Sequence, residues 1–569
     1  MVKKITKIIK GDKEMGLSRR DFIKGTAASA LGISSIGLLA SCTANSKPSE
    51  KDLTVSNPEK ADGWDTPPKP ITDFSEIIDT EILVVGAGNG GLFAACSAAE
   101  KGAKVTVLER NAMIGTGRQW IGAIGSNLQK EAGLKLNKFE IIEEACKYAS
   151  HRVDQKLVKL WADNSGAMIN WLDGIAKNQG AYVLLETDAG KDEGYYKTFP
   201  IQHTVQNNEK ALYVTDIMKT YAESLGVEIL LETPMIQLIR ENNEGRVSGA
   251  AAKAGEKYIK INASKGVILA TGGYSANLDM LKSLNPLAYN SCTASDSHAG
   301  SQGDGIKAAT WIGAAKDEVP TAMIFDRGGC PPDATTGGDL KQGIMTHIGS
   351  QPFLKVNKKG ERFVNESIPY DFMIHAATLE PGDTYCMIWD SDWREQTRQF
   401  HTIGCSRIQY SPSGSKLMLF DEEATEGFHQ GVLMPKGIVV EDDTLEDLAD
   451  KLGIPADNLV KTVNRYNELC ANGTDEDFGK ESYRMLPLKK TPFRAVTLGG
   501  QILCSLDGLR INTNLQVLDK LCNPIEGLYA IGNDSGGFFC NNYPEMLIGI
   551  AAGRTDTFGY LAGQIVAAL

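Results

Sequence analysis

The feature that most constrains this chain is Gly86-Ala87-Gly88-Asn89-Gly90-Gly91, which ends the apolar run Thr80-Glu81-Ile82-Leu83-Val84-Val85. A helix of small residues is expected next, over 92–101, and then a second strand over 104–108 closed by Glu109. Strand, glycine turn, helix, strand and acid in this order make the βαβ unit of a dinucleotide-binding fold. Each part has its reason. Gly86 makes the tight turn, Gly88 lets a pyrophosphate approach the backbone, and Gly91 lets the helix pack on the strand. Ala87 belongs to the same phosphate-facing turn, and the helix N-terminus faces the phosphates. Glu109, 23 residues after Gly86, is placed to accept from a ribose hydroxyl.

Further points of close backbone approach follow. Gly115-Thr116-Gly117 and Gly122-Ala123 lie just beyond Glu109, and Thr271-Gly272-Gly273 closes the strand-like run 266–270. Gly303-Asp304-Gly305 opens a helix, and Ile531-Gly532-Asn533 ends another apolar run. Glycine is 59 of 569 residues, about one in ten against a typical ~7%, which suits a ligand lined by backbone. A flavin needs such approach at several points and a nicotinamide dinucleotide at fewer. FAD is therefore the expected cofactor, with Thr116, Gly117, Gly122, Thr271, Gly272, Asp304 and Asn533 joining the first turn and Glu109. A chain of this length also exceeds one hydrophobic core.

Charge is unevenly placed. The chain carries a formal −12, with 59 Lys+Arg against 71 Asp+Glu, which argues against a general nucleic-acid binder. Yet the first 41 residues hold eight basic and three acidic side chains. Five lysines precede Ser18-Arg19-Arg20-Asp21-Phe22-Ile23-Lys24 and a weakly apolar run from Gly25 to Ala40. That run is too short and too rich in Gly and Ser for a spanning helix, and it reads as an export signal over 1–41. The twin-arginine string fits the route that carries folded, cofactor-loaded proteins. Leu39-Ala40-Ser41-Cys42 also resembles a lipoprotein cleavage box, which would leave Cys42 lipidated, while a plain cleaved signal is the alternative. The polar stretch over 42–77 reads as a tether.

The eleven cysteines include no Cys-x-x-Cys spacing, and the seven histidines form no pair at helical spacing. Structural zinc, iron–sulfur ligation and c-type haem are disfavoured, and no metal is expected.

From Asp79 to Leu569 these motifs resemble the flavoprotein superfamily of fumarate reductases, urocanate reductases and 3-ketosteroid dehydrogenases. The resemblance implies an α/β chain with a discontinuous, Rossmann-like FAD-binding domain (78–321 and 500–569) and an inserted α+β capping domain (322–499). Covalent members attach the flavin through a histidine near the second glycine stretch. Here no histidine precedes His151, which implies noncovalent FAD.

The same resemblance bears on the substrate. In Gly360-Glu361-Arg362-Phe363-Val364-Asn365-Glu366-Ser367-Ile368-Pro369-Tyr370-Asp371, tyrosine stands where fumarate-reducing relatives hold a proton-delivering arginine. Tyr543-Pro544 stands where they hold a carboxylate-binding arginine, and Cys504 replaces a family histidine. Both tyrosines resemble the ketosteroid enzymes, although Glu545 departs from the glycine found there. Fumarate is disfavoured. A tyrosine hydroxyl has an ordinary pKa of about 10 and is mainly a proton donor at neutral pH. Tyr370 is expected to protonate the α-carbon of an unsaturated carbonyl compound and Tyr543 to polarise its carbonyl, with hydride from flavin N5 reaching the β-carbon. Pro544 is expected as a first helical residue, with N–H groups near Met546, Leu547 and Ile548 facing the flavin. Trp120, Arg118 and Tyr274 are read equally as pocket lining or packing. His347 is read as a surface histidine, a relay to Tyr370 being the alternative. Electrons are expected from a separate membrane-linked donor, a quinol-oxidising, haem or FMN protein. The rivals are a 3-ketosteroid dehydrogenase running the reverse chemistry and a non-catalytic flavin-carrying lipoprotein.

Overall fold

Strand β1 (Glu76–Val85) holds Ile82, Leu83 and Val84 with no exposed surface, so both of its faces are covered. That is why the run is continuously apolar rather than alternating. The computed structural model describes residues 63–187, 197, 199–400, 406, 408, 414 and 421–569. The expected signal, Cys42 and the tether up to residue 62 lie outside them.

The chain leaves β1 through the glycine turn into α1 (Asn89–Ala99), returns as β2 (Val105–Leu108) and later adds β3 (Glu228–Leu230) beyond β2. On the other side of β1 lies β4 (Lys257–Leu269), parallel to it with Val84 opposite Ile268. The next strands in the chain, β5 (Cys292–Ser295) and β6 (Ala322–Cys330), belong to a second sheet, which α2 (Tyr370–Ala377) packs against through β6. Strand β7 (Phe493–Ser505) is the spine of that sheet. It pairs with β5, β6, Tyr385–Trp389 and Val439–Asp442. The chain then returns to the first sheet as β8 (Pro524–Ala530), parallel to β4, and ends in α3 (Ile550–Ala567).

The first sheet is thus a mainly parallel βαβ sheet, and the second is mainly antiparallel, with β5, among the described residues, joining it in parallel. This is the mixed α/β architecture of a Rossmann-like domain with a cap. The expected boundary at 499/500 falls inside β7, where β5 pairs with Gly500. Small residues set the closest helix contact. A Cβ on Gly559 would come within 2.4 Å of the Gly90 carbonyl oxygen, and one on Gly563 within 2.2 Å of that of Ala94. Glycine at these points lets α3 lie directly on α1.

Candidate functional site

The first turn is built as its glycines require. Gly86 has φ +105°, and a Cβ there would sit 2.3 Å from the Ala270 carbonyl oxygen. A Cβ on Gly91 would stand 1.9 Å from the Gly86 oxygen, whereas one on Gly88 would meet nothing within 4 Å. Gly91 therefore serves packing, and Gly88, the N-cap of α1, leaves an open backbone surface. That surface forms one wall of a cleft of about 390 Å³, shared with Gly86, Glu109, Thr116, Gly117, Thr271, Gly272, Asp304 and Asn533. Ala87 is fully buried, but its N–H donates to Glu109 Oε2 at 3.0 Å, which ties the acid to the turn. Asp304 pairs with Arg110 at 2.5 Å and Lys307 at 3.1 Å.

The residues present fit a dinucleotide. The N-terminus of α1 opens on the cleft, and Asn89 Oδ1 there is a buried oxygen that no donor among the described residues reaches. Asp534, not singled out from the sequence, fixes the opposite wall. Its carboxyl accepts from Thr271 Oγ1 at 2.8 Å and from Gly273 N at 3.1 Å, and burial pushes its pKa up to about 6. The histidine expectation needs a spatial amendment. No histidine precedes His151 in the chain, yet His298 lines the cleft and a Cβ on Gly115 would fall 2.1 Å from its ring. Cys504 lines the same cleft.

A second hollow of about 360 Å³ adjoins this one, and Thr116, Gly117, Arg118, Met323 and Leu503 line both. Tyr370 and Tyr543 line it together, their rings 6.4 Å apart and only 14° from parallel. Tyr370 is the first residue of α2, and its N–H donates to Glu545 Oε2 at 3.3 Å. Asp371 Oδ2 accepts from Tyr543 N at 3.0 Å, and burial pushes the Asp371 carboxyl up to about 7. Two carboxyl groups thus pin the turn that opens α2 to the segment carrying Tyr543. Glu545, absent from the ketosteroid pattern, finds its structural role here.

Trp120, Arg118 and Ile548 also line this hollow. Tyr274 does not; it is buried, with its hydroxyl 2.8 Å from Asp507, beside the Lys316–Asp507 pair. His347 is no surface residue: it lies half-buried on the hollow's wall, because the short helical turn His347–Ser350 follows the strand Ile344–Met345 that pairs with β6 and packs against β6. Burial and the charge of Arg327 hold it neutral, with its pKa lowered to about 2. Arg327 itself was missed, since alternation along β6 gives no sign of which side chains reach the hollow.

The helix expected from Pro544 is also corrected. Residues 544–549 form consecutive tight turns and α3 starts only at Ile550. Leu547 N–H bonds the Pro544 carbonyl at 3.0 Å, and the Leu547 side chain is fully buried. Gly549 has φ +76° and lies so close to Trp120 and Gly122 that a Cβ would approach within 2.9 Å. Gly122 N donates to Gly549 O at 2.8 Å, so Gly122 holds this turn in place rather than lining either hollow.

Comparison with known proteins agrees with this geometry. Residues 81–544 match the family described as FAD binding domain. The vinyl phenol reductase of Lactiplantibacillus plantarum is 29% identical over 491 residues, covering 85% of this chain and 95% of that protein. The urocanate reductase of Eggerthella lenta is 26% identical over 534 residues, covering 91% and 80% respectively. The open conformation of a flavocytochrome c3 fumarate reductase superposes with a TM-score of 0.63 at 25% identity, over 91% of this chain and 84% of that one. With a turn, cleft and acid that fit FAD, this chain belongs to the FAD binding domain family and is an FAD-dependent oxidoreductase.

Proposed function

We propose that this chain reduces a carbon–carbon double bond conjugated to a carbonyl, with Tyr370 as the proton donor and FAD held noncovalently. The observation that carries this reading is the near-parallel tyrosine pair in a hollow adjoining the cofactor cleft. Bound FAD, once reduced by the electron donor, would supply the hydride for the β-carbon. The Tyr370 hydroxyl gives its proton to the α-carbon, and Tyr543 donates to the carbonyl oxygen as negative charge builds there. Asp371 and Glu545 hold the backbones of the two tyrosines and so fix the line between the two donors. Aromatic walls from Trp120 and Phe325 favour a substrate with a planar, apolar body. The similarity to a vinyl phenol reductase supports a second reading, in which an aromatic ring replaces the carbonyl as the conjugated group.

The same proposal places the protein outside the cytoplasm by the twin-arginine route, lipid-anchored if Cys42 is the first mature residue, with electrons from a separate membrane-linked protein. The test is an anaerobic assay with reduced methyl viologen as donor. Neutral aryl enones should oxidise the dye faster than fumarate does, and fumarate as the fastest acceptor would overturn the assignment. Denaturation should release the flavin from the polypeptide.

A further inference from the structure

Besides Arg118 and Asp296, which pair with each other at 3.5 Å, the hollow beside the tyrosines is lined by Glu545 and Arg327. At the tyrosine end stands Glu545, its carboxylate on the Tyr370 N–H. Beyond Phe325 stands Arg327, with the guanidinium carbon 4.2 Å from the Phe325 ring centroid, and that ring packs edge-on against Tyr370 at 4.6 Å. One aromatic ring thus separates the positive group from the proton donor.

Arg327 is held rigidly. Its Nε donates to Ser350 Oγ at 2.8 Å, and Ser350 Oγ in turn donates to Asp326 Oδ1 at 2.5 Å. The other Asp326 oxygen is engaged by Lys355 at 3.0 Å. Arg327 has only 2% of its surface exposed and still lines the hollow, so its charge is fixed against whatever enters. A planar guanidinium fork suits an oxyanion, and a low-dielectric wall strengthens that attraction. His347 on the same wall is neutral and adds no competing charge. An oxyanion at the tyrosine end would instead face the Glu545 carboxylate.

We infer that Arg327 anchors an oxyanion on the substrate at the end remote from its double bond, so that aryl enones with a para carboxylate or phenolic oxygen are preferred. This rests on the reductase reading above and names its substrate class. The geometry is that of a spacer one ring long, with the reacting carbons by Tyr370 and the anion by Arg327.

The test separates binding from turnover. Oxidised holoenzyme is titrated with benzylacetone and its para-carboxy, meta-carboxy and para-hydroxy derivatives, and perturbation of the flavin absorbance is read. The para-carboxy ketone should bind at least about tenfold tighter than benzylacetone, the scale of one charge-assisted hydrogen bond. Arg327→Gln should bring that ratio to within about twofold and Arg327→Lys should restore part of it, with flavin content reporting that each variant is folded. Tight binding of the para-hydroxy compound only where its phenol is ionised would identify phenolate as the anion and supports the anchor equally. A wild-type ratio near one, a meta preference, or a ratio unchanged in Arg327→Gln would overturn it. Turnover of the corresponding benzylideneacetones keeps the two readings apart. Arg327-dependent binding with no reduction of any enone defeats the reductase assignment alone. Reduction without the binding preference defeats the anchor alone.

Discussion

Tyr370 packs edge-on against Phe325 and faces Tyr543, so Tyr370→Phe keeps the ring and removes only the hydroxyl. A general acid contributes about 10²–10⁴-fold, so kcat should fall by that factor while FAD stays bound. A loss below tenfold would exclude Tyr370 from the role. Its neighbour Asp371 sets a pH dependence. Burial raises its folded pKa to about 7, well above the ordinary carboxyl range, so the folded state holds a proton that the unfolded chain has released. Stability from this group is greatest on the acid side and falls as pH rises from about 4 to about 7, by at most about 1.4 kcal/mol per pH unit for one proton. Asp371→Asn should flatten the fall of Tm between about pH 5 and pH 7, and an unchanged slope would sink the assignment. That Tyr370 and Tyr543 belong to one hollow was legible because each sits in a string with a known pattern. Arg327, Asp534 and the Glu545 contact were not, because each depends on a strand or turn brought in from far along the chain. His347 was misread for the same reason.

At the scale of elements, the first βαβ unit was legible because every constraint in it is local: an apolar strand, a turn and a small-residue helix within 34 positions of Glu76. The start of α3 was not. Proline at a first helical position is a local preference, but here the close approach of Gly549 to Trp120 decides where the helix begins. Two glycines of the first turn separate packing from ligand approach. In Gly91→Ala the new carbon meets the Gly86 carbonyl, which is backbone and cannot swing away, so the apoprotein should lose about 1–3 kcal/mol or more. In Gly88→Ala the carbon points into open space on the cleft wall. Apoprotein stability should then change by no more than a cap substitution does, ~1 kcal/mol, while FAD affinity falls. Thermal unfolding of both apoproteins, paired with FAD titration, checks the contrast. Equal losses of apoprotein stability would show that the two positions do the same work.

Across the whole molecule, the proposed tyrosine pair is assembled from two distant segments, one lying between the cap strands β6 and Tyr385–Trp389 and one just before α3. Its spacing therefore depends on the cap holding its shape, and the string that carries Tyr370 also supplies that support. Arg362 donates to Glu366 at 2.8 Å and to Asp475 at 2.8 Å, with Lys480 3.5 Å from Glu366, and all four side chains are nearly or fully buried. Burial would raise the Glu366 pKa, but Lys480 and Arg362 outweigh it and hold the carboxyl below its usual range. The first half of the motif is thus scaffold, and only its end reaches the hollow. Removing one partner of such a cluster is more harmful than never having built it, because the remaining charges stay buried. Arg362→Met should leave Glu366 and Asp475 sharing Lys480 and cost about 3–5 kcal/mol in unfolding free energy. Adding Asp475→Asn should return part of that loss, since one stranded charge is then gone. If Arg362→Met unfolds in urea within about 1 kcal/mol of wild type, the cluster is not what keeps the cap, and with it Tyr370, in register with Tyr543.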